Sequence, residues 1–135
     1  MSTSVTALAG FAALQVGLTF ALGAFRTAMV LTGRKAANAF RTDGSDFPGF
    51  GQRLTRARDN CFENLPMFTA LVVAASLAGR TTVTDPLALW VLAARIGQSV
   101  THLASTSVPA IQVRFAFYLA QIAIMAWWAI RLLCG

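Results

Sequence analysis

The chain has 135 residues, enough for one domain, with 56% hydrophobic and 12% charged residues and a mean hydropathy of +0.62. A soluble domain carries about 25% charged residues, so this composition excludes an ordinary soluble protein and points to an integral membrane protein. The net charge of +6 comes from ten Arg and one Lys against five acids; these basic residues cluster in one connection or sit singly inside apolar runs, which excludes a nucleic-acid groove.

Val5 to Phe25 is an uncharged run of 21 residues, long enough to span about 30 Å of hydrocarbon. The apolar pattern continues past Arg26 and predicts a first helix over 5–31. With no basic residue before it and no cleavage signal, it reads as a retained membrane helix rather than a signal peptide. Gln15, Thr19 and Arg26 share one face. Ala13, Gly17 and Ala21 form a small-residue ridge that suits close helix packing, or reflects how common small residues are in membrane helices. Residues 32–52 are polar, contain Gly44, Pro48, Gly49 and Gly51, and read as a loop.

The second helix is predicted over 53–78 and opens with the most informative stretch, RLTRARDNCFENLPMF at 53–68. Arg53, Arg56, Asn60 and Glu63 fall within a sector of roughly 80° on a helix. A stripe able to bind an anion therefore leads directly into a lipid-soluble segment. Residues 79–85 read as a short turn. Asp85-Pro86 carries the signature of a helix start, with Asp as cap and Pro at the first position, so the third helix is predicted over 86–105. Its polar side chains Arg95, Gln98, Ser99 and His102 align. Thr106 to Pro109 turns the chain, and the fourth helix is predicted over 110–133, aligning Arg114, Tyr118 and Gln121. Such polar faces must turn away from lipid. The expected architecture is all-α: an up-down-up-down four-helix bundle in a membrane, a single domain over 1–135.

Arg95 falls near the bilayer middle, where an arginine costs about 2.5–3.5 kcal/mol on the insertion scale. Glu63 is the only Glu, so an Arg95–Glu63 ion pair is predicted, serving either function or only the locking of two helices. Trp90, Trp127 and Trp128 read as interface anchors or packing. Cys61 and Cys134 show no metal-binding spacing, no metal site is expected, and a disulfide between them is not expected. Residues 32–58 hold six of the eleven basic residues. The positive-inside rule then places the first and third loops in the cytoplasm and both termini on the other side, with Arg131 the lone opposing charge.

Arg56-Ala57-x-x-Asn60-Cys61-x-Glu63-x-x-Pro66-x-Phe68 resembles the second-helix signature of the MAPEG family, the membrane-associated proteins of eicosanoid and glutathione metabolism. The similarity is strongest to its leukotriene C synthase branch and extends to the microsomal glutathione transferases and prostaglandin E synthase. The resemblance implies a homotrimer of four-helix subunits with glutathione as co-substrate, bound between neighbours on the cytoplasmic side. It implies that Arg56, Asn60 and Glu63 hold the tripeptide, joined by Arg95, Gln98 and His102. It also implies that Arg114 stabilises the thiolate with Tyr118 one turn on, and that Arg34 or Lys35 supplies a basic residue after the first helix. Gln98 stands where the family usually has tyrosine or histidine, His102 where it has tyrosine, and Phe115 where some enzymes carry serine. The function implied is a glutathione-dependent transferase or peroxidase acting on a hydrophobic small molecule or lipid hydroperoxide in the inner membrane of a bacterium. The alternative is a non-catalytic lipid- or partner-binding protein of the same fold; a small transporter is a third and weaker reading.

Overall fold

The computed structural model describes residues 1–34 and 49–135 as four helices: α1 Thr3–Leu31, α2 Phe50–Leu77, α3 Thr81–Ala104 and α4 Val108–Cys134. Lys35, Gly44 and Pro48, singled out in the sequence, lie outside the described residues. At about 1.5 Å per residue each helix exceeds the hydrocarbon thickness. By length and composition α1, α2 and α4 can each cross a membrane. α3 is nearly as long, and Asp85, Arg95, Gln98 and His102 lower its hydropathy.

Local chemistry fixes the helix ends. Ser2 caps α1 by accepting from the Val5 amide at 3.2 Å, and Ser107 caps α4 by accepting from the Ala110 amide at 3.4 Å, with Pro109 in the first turn. α1 and α2 close alike. Gly33 (φ 73°) and Gly79 (φ 67°) adopt the left-handed conformation, and the next amides, of Arg34 and Arg80, reach back to the carbonyls of Met29 and Ala75 at 3.0 and 2.8 Å.

α3 departs from the sequence expectation. It begins at Thr81, five residues before Pro86, which lies inside the helix. The capping role read for Asp85 is real but serves a different helix. Asp85 Oδ1 accepts from the Ser4 backbone amide at 2.8 Å and from the Ser4 hydroxyl, while Ser4 Oγ also meets Thr84 Oγ1 at 2.6 Å. The carboxylate therefore satisfies the first turn of α1, and α3 gains an extra turn before its proline.

These contacts also fix the topology. Ser4 against Thr84 and Asp85 sets the starts of α1 and α3 side by side. Arg80 donates to the carbonyls of Leu132 and Arg131 at 3.0 and 2.9 Å, placing the end of α4 beside the start of α3. Arg53 Nε donates to the Leu103 carbonyl at 2.9 Å, placing the start of α2 beside the end of α3. The chain is thus an up-down-up-down all-α bundle. α2 and α3 form its centre; α1 packs on both from one side and α4 on both from the other, and α1 and α4 do not meet among the described residues.

Polar and apolar groups are distributed as lipid demands. Phe20, Trp90 and Phe115 are exposed, whereas Arg95, Gln98, Ser99, His102 and Gln121 are buried. An aromatic column runs through the interior, with ring centroids of Phe11 and Phe68 5.2 Å apart and those of Phe68 and Trp128 5.8 Å apart. The three tryptophans divide: Trp128 is packing, while Trp90 and Trp127 face outward. This inside-out pattern makes the protein an integral membrane protein in contact with the bilayer.

Candidate functional site

The end of the bundle where α1 ends, α2 begins and the α3–α4 turn lies carries a cleft. Its inner part, about 300 Å³, is lined by Asn60 and Glu63 of α2, Gln98 and His102 of α3, and Ile111, Arg114, Phe115 and Tyr118 of α4. An outer part of about 370 Å³ adds Gln52, Arg56 and Asp59, and shares Asn60, Glu63 and His102 with the inner part. Helical spacing explains the convergence. Arg56, Asn60 and Glu63 occupy one face of α2, Gln98 and His102 are one turn apart on α3, and Arg114 and Tyr118 one turn apart on α4. The short turn at 105–107 folds α4 back on α3, so His102 and Arg114 meet across it. Gly97 lets the helices approach closely, because a Cβ there would lie 2.8 Å from Cζ of Phe117.

Arg95 is fully buried in the wall behind this cleft. Its Nε donates to Gln121 Oε1 at 3.0 Å and its Nη1 to Asn60 Oδ1 at 2.6 Å. Gln98 Nε2 donates to the same Asn60 oxygen at 2.7 Å, and Gln121 Nε2 donates to Gln98 Oε1 at 2.8 Å and to the Phe117 carbonyl at 3.0 Å. The guanidinium carbon also sits 5.6 Å from the Phe11 ring centroid. The predicted Arg95–Glu63 ion pair does not form. Glu63 is exposed on the cleft side of α2, whereas Asn60, a turn earlier, reaches Arg95 from that helix and Gln121 reaches it from α4. Neutral carboxamides hold the buried cation, each bond to the charged group contributing about 1.5–3 kcal/mol. No carboxylate among the described residues forms an ion pair with it.

Arg114 Nη1 lies 2.8 Å from His102 Nδ1. A guanidinium can only donate, so Nδ1 accepts and the imidazole is neutral with its proton on Nε2. Arg114 Nε and Arg95 Nη2 are buried with no hydrogen-bond partner among the described residues. Arg58 is paired with the adjacent Asp59 at 2.5 Å. Apart from that self-cancelling pair, whose Asp59 borders the outer part, the cleft and its wall hold three guanidinium groups, Arg56, Arg95 and Arg114, against one other carboxylate among the described residues, Glu63. A small anion fits this balance.

The structure therefore brings Arg56, Asn60, Glu63, Gln98, His102, Arg114 and Tyr118 to one cleft, with Arg95 directly behind it. Arg34 is exposed past the end of α1 and lines neither part within one chain. The sequence reading did not select Gln52, Ile111 or Phe115 as lining residues. It had aligned Gln121 with Arg114 and Tyr118, but which group it would meet depends on interhelical register. Cys61 is buried, Cys134 is exposed, and both are free thiols. Among the described residues no His, Cys, Asp and Glu cluster has the arrangement of a metal site. No match exists among curated proteins or solved structures. The sequence model of the MAPEG family matches residues 4–134, and the chain belongs to that family.

Proposed function

We propose that the protein is a glutathione-dependent membrane transferase or peroxidase that brings a thiolate to a hydrophobic electrophile or lipid hydroperoxide. Family membership supports a membrane protein of glutathione-related or eicosanoid metabolism. The finer reading rests on one observation: an arginine-rich cleft whose polar floor adjoins the apolar side chains of Ile111 and Phe115. Glutathione is a net anion with two carboxylates, suited to Arg56 and the amides around Asn60. Its thiol, with an ordinary pKa near 8.5, is mostly protonated at neutral pH. Arg114, held by His102 with its Nε otherwise unsatisfied, stabilises the thiolate in a site partly shielded from water. Tyr118, one turn along, supplies a hydroxyl at the same wall. Ile111 and Phe115, both exposed on α4, hold the lipid-soluble partner beside the sulfur. With an aryl halide as test electrophile, a carbon–sulfur bond forms, the carbon–halogen bond breaks and halide leaves; the thiol proton goes to solvent.

The same reading takes the assembly to be a trimer and the cleft end to face the cytoplasm of a bacterial inner membrane, in keeping with the basic residues of the first connection. The deciding assay uses detergent-purified protein, glutathione and a generic aryl halide. Wild type turns over and Arg114→Ala does not; equal rates remove Arg114 from the mechanism.

A second reading, a non-catalytic lipid- or partner-binding protein, draws on one feature. Both ends of the Gln98 carboxamide bond inside the chain, to Asn60 and Gln121, and a carboxamide brings no acid, base or nucleophile to that position. A thermal shift separates the two, because a ligand bound to the folded state raises its stability. A shift with lipid and none with millimolar glutathione supports the second.

A further inference from the structure

We infer that Gln121, through Gln98 and together with the direct bond from Arg95, fixes which face Asn60 turns to the cleft, so that Asn60 presents hydrogen-bond donors there and selects a carbonyl or carboxylate of the ligand. The inference rests on the glutathione reading for the ligand's identity, and on the hydrogen-bond geometry alone for the orientation.

A guanidinium has no acceptor. Arg95 Nε therefore demands an oxygen from Gln121, at 3.0 Å, which turns the Gln121 nitrogen the other way. That nitrogen donates to Gln98 Oε1 at 2.8 Å, which turns the Gln98 nitrogen onto Asn60 Oδ1 at 2.7 Å. Arg95 Nη1 reaches the same Asn60 oxygen at 2.6 Å. Two donors from behind thus occupy Asn60 Oδ1, and the other branch of the carboxamide, Nδ2 with its two hydrogens, is the one available to the cleft that Asn60 lines. Reversing any one amide sets nitrogen against nitrogen or oxygen against oxygen, and only Asn60 borders the cleft: Gln98 and Gln121, 2% and 0% exposed, have little access to water that could absorb the mismatch. The fixed charge of Arg95 sets the polarity of every amide downstream. Gln121 touches no ligand; it is a positioning residue.

Side-chain amide exchange in the unliganded, detergent-solubilised protein tests the orientation. Asn60 amide hydrogens exchange quickly and those of Gln98 and Gln121 are protected; protection at Asn60 with fast exchange at Gln98 overturns the inference. Calorimetric titration with glutathione tests the coupling in wild type, Gln121→Met, Asn60→Ala and the double variant. Gln121→Met weakens binding about tenfold, the loss of one well-oriented hydrogen bond, and adds nothing further in the Asn60→Ala background. Additive effects, or no effect of Gln121→Met, overturn it. Gln121→Glu serves if the methionine variant fails to fold: it keeps an acceptor for Arg95, deletes the donor to Gln98, and weakens binding to the same extent. Wild type that ignores glutathione refutes the glutathione reading, while amide exchange still decides the orientation.

Discussion

The two ends of this bundle use the same residue types to opposite effect. At the end that holds the chain termini, Asp85 closes on Ser4 and Arg80 closes on the last carbonyls of α4, so polar groups spend their bonds on the chain's own backbone. At the other end, Arg56 and Glu63 line open space, and Arg114 gives one bond to His102 while its Nε stays unsatisfied. An arginine in or at the end of a membrane helix is therefore no site by itself. What distinguishes Arg114 from Arg80 is bonding capacity left over after the fold is made.

That contrast breaks most sharply at Arg114. Arg114→Ala should lower glutathione turnover about 100-fold or more, the usual loss on removing an electrostatic stabiliser of a developing or bound anion, with little change in melting temperature. A rate within twofold of wild type would put Arg114 in the same structural class as Arg80. Next comes Arg95, which belongs to the cleft end yet is spent internally. Arg95→Ala leaves a cavity and strips Asn60 and Gln121 of their charged donor, which should cost about 2–4 kcal/mol in reversible detergent unfolding followed by tryptophan fluorescence. A smaller effect is expected at the α3–α4 contact. Gly97→Val forces Phe117 aside and should cost about 1–3 kcal/mol, with weaker glutathione binding because α4 carries Arg114. The smallest lies at the closed end. Asp85→Ala removes the acceptor of the Ser4 amide in the first turn of α1 and should cost about 1 kcal/mol while leaving glutathione affinity and turnover unchanged; an affinity loss there would erase the distinction between the two ends.

The sequence disclosed faces better than partners. Apolar runs revealed four helices because lipid permits few other spanning structures, and a 3.6-residue period aligned Arg56, Asn60 and Glu63 without knowledge of the fold. Partner choice needs interhelical register, which no single helix encodes. Asp85 carries a capping signature, but Ser4, about eighty residues away, competes for it and wins. Arg95 requires a counterpart, and charge alone nominated Glu63. The register instead presents two amide oxygens, which satisfy the guanidinium and leave its charge to the cleft.

The most direct test of the account is a calorimetric titration of glutathione into the purified protein, wild type against Arg56→Ala, at low salt. The account predicts saturable binding to wild type, weakened about tenfold or more without the Arg56 guanidinium. Binding that ignores the loss of Arg56, or a wild type with no measurable heat at millimolar glutathione, contradicts it.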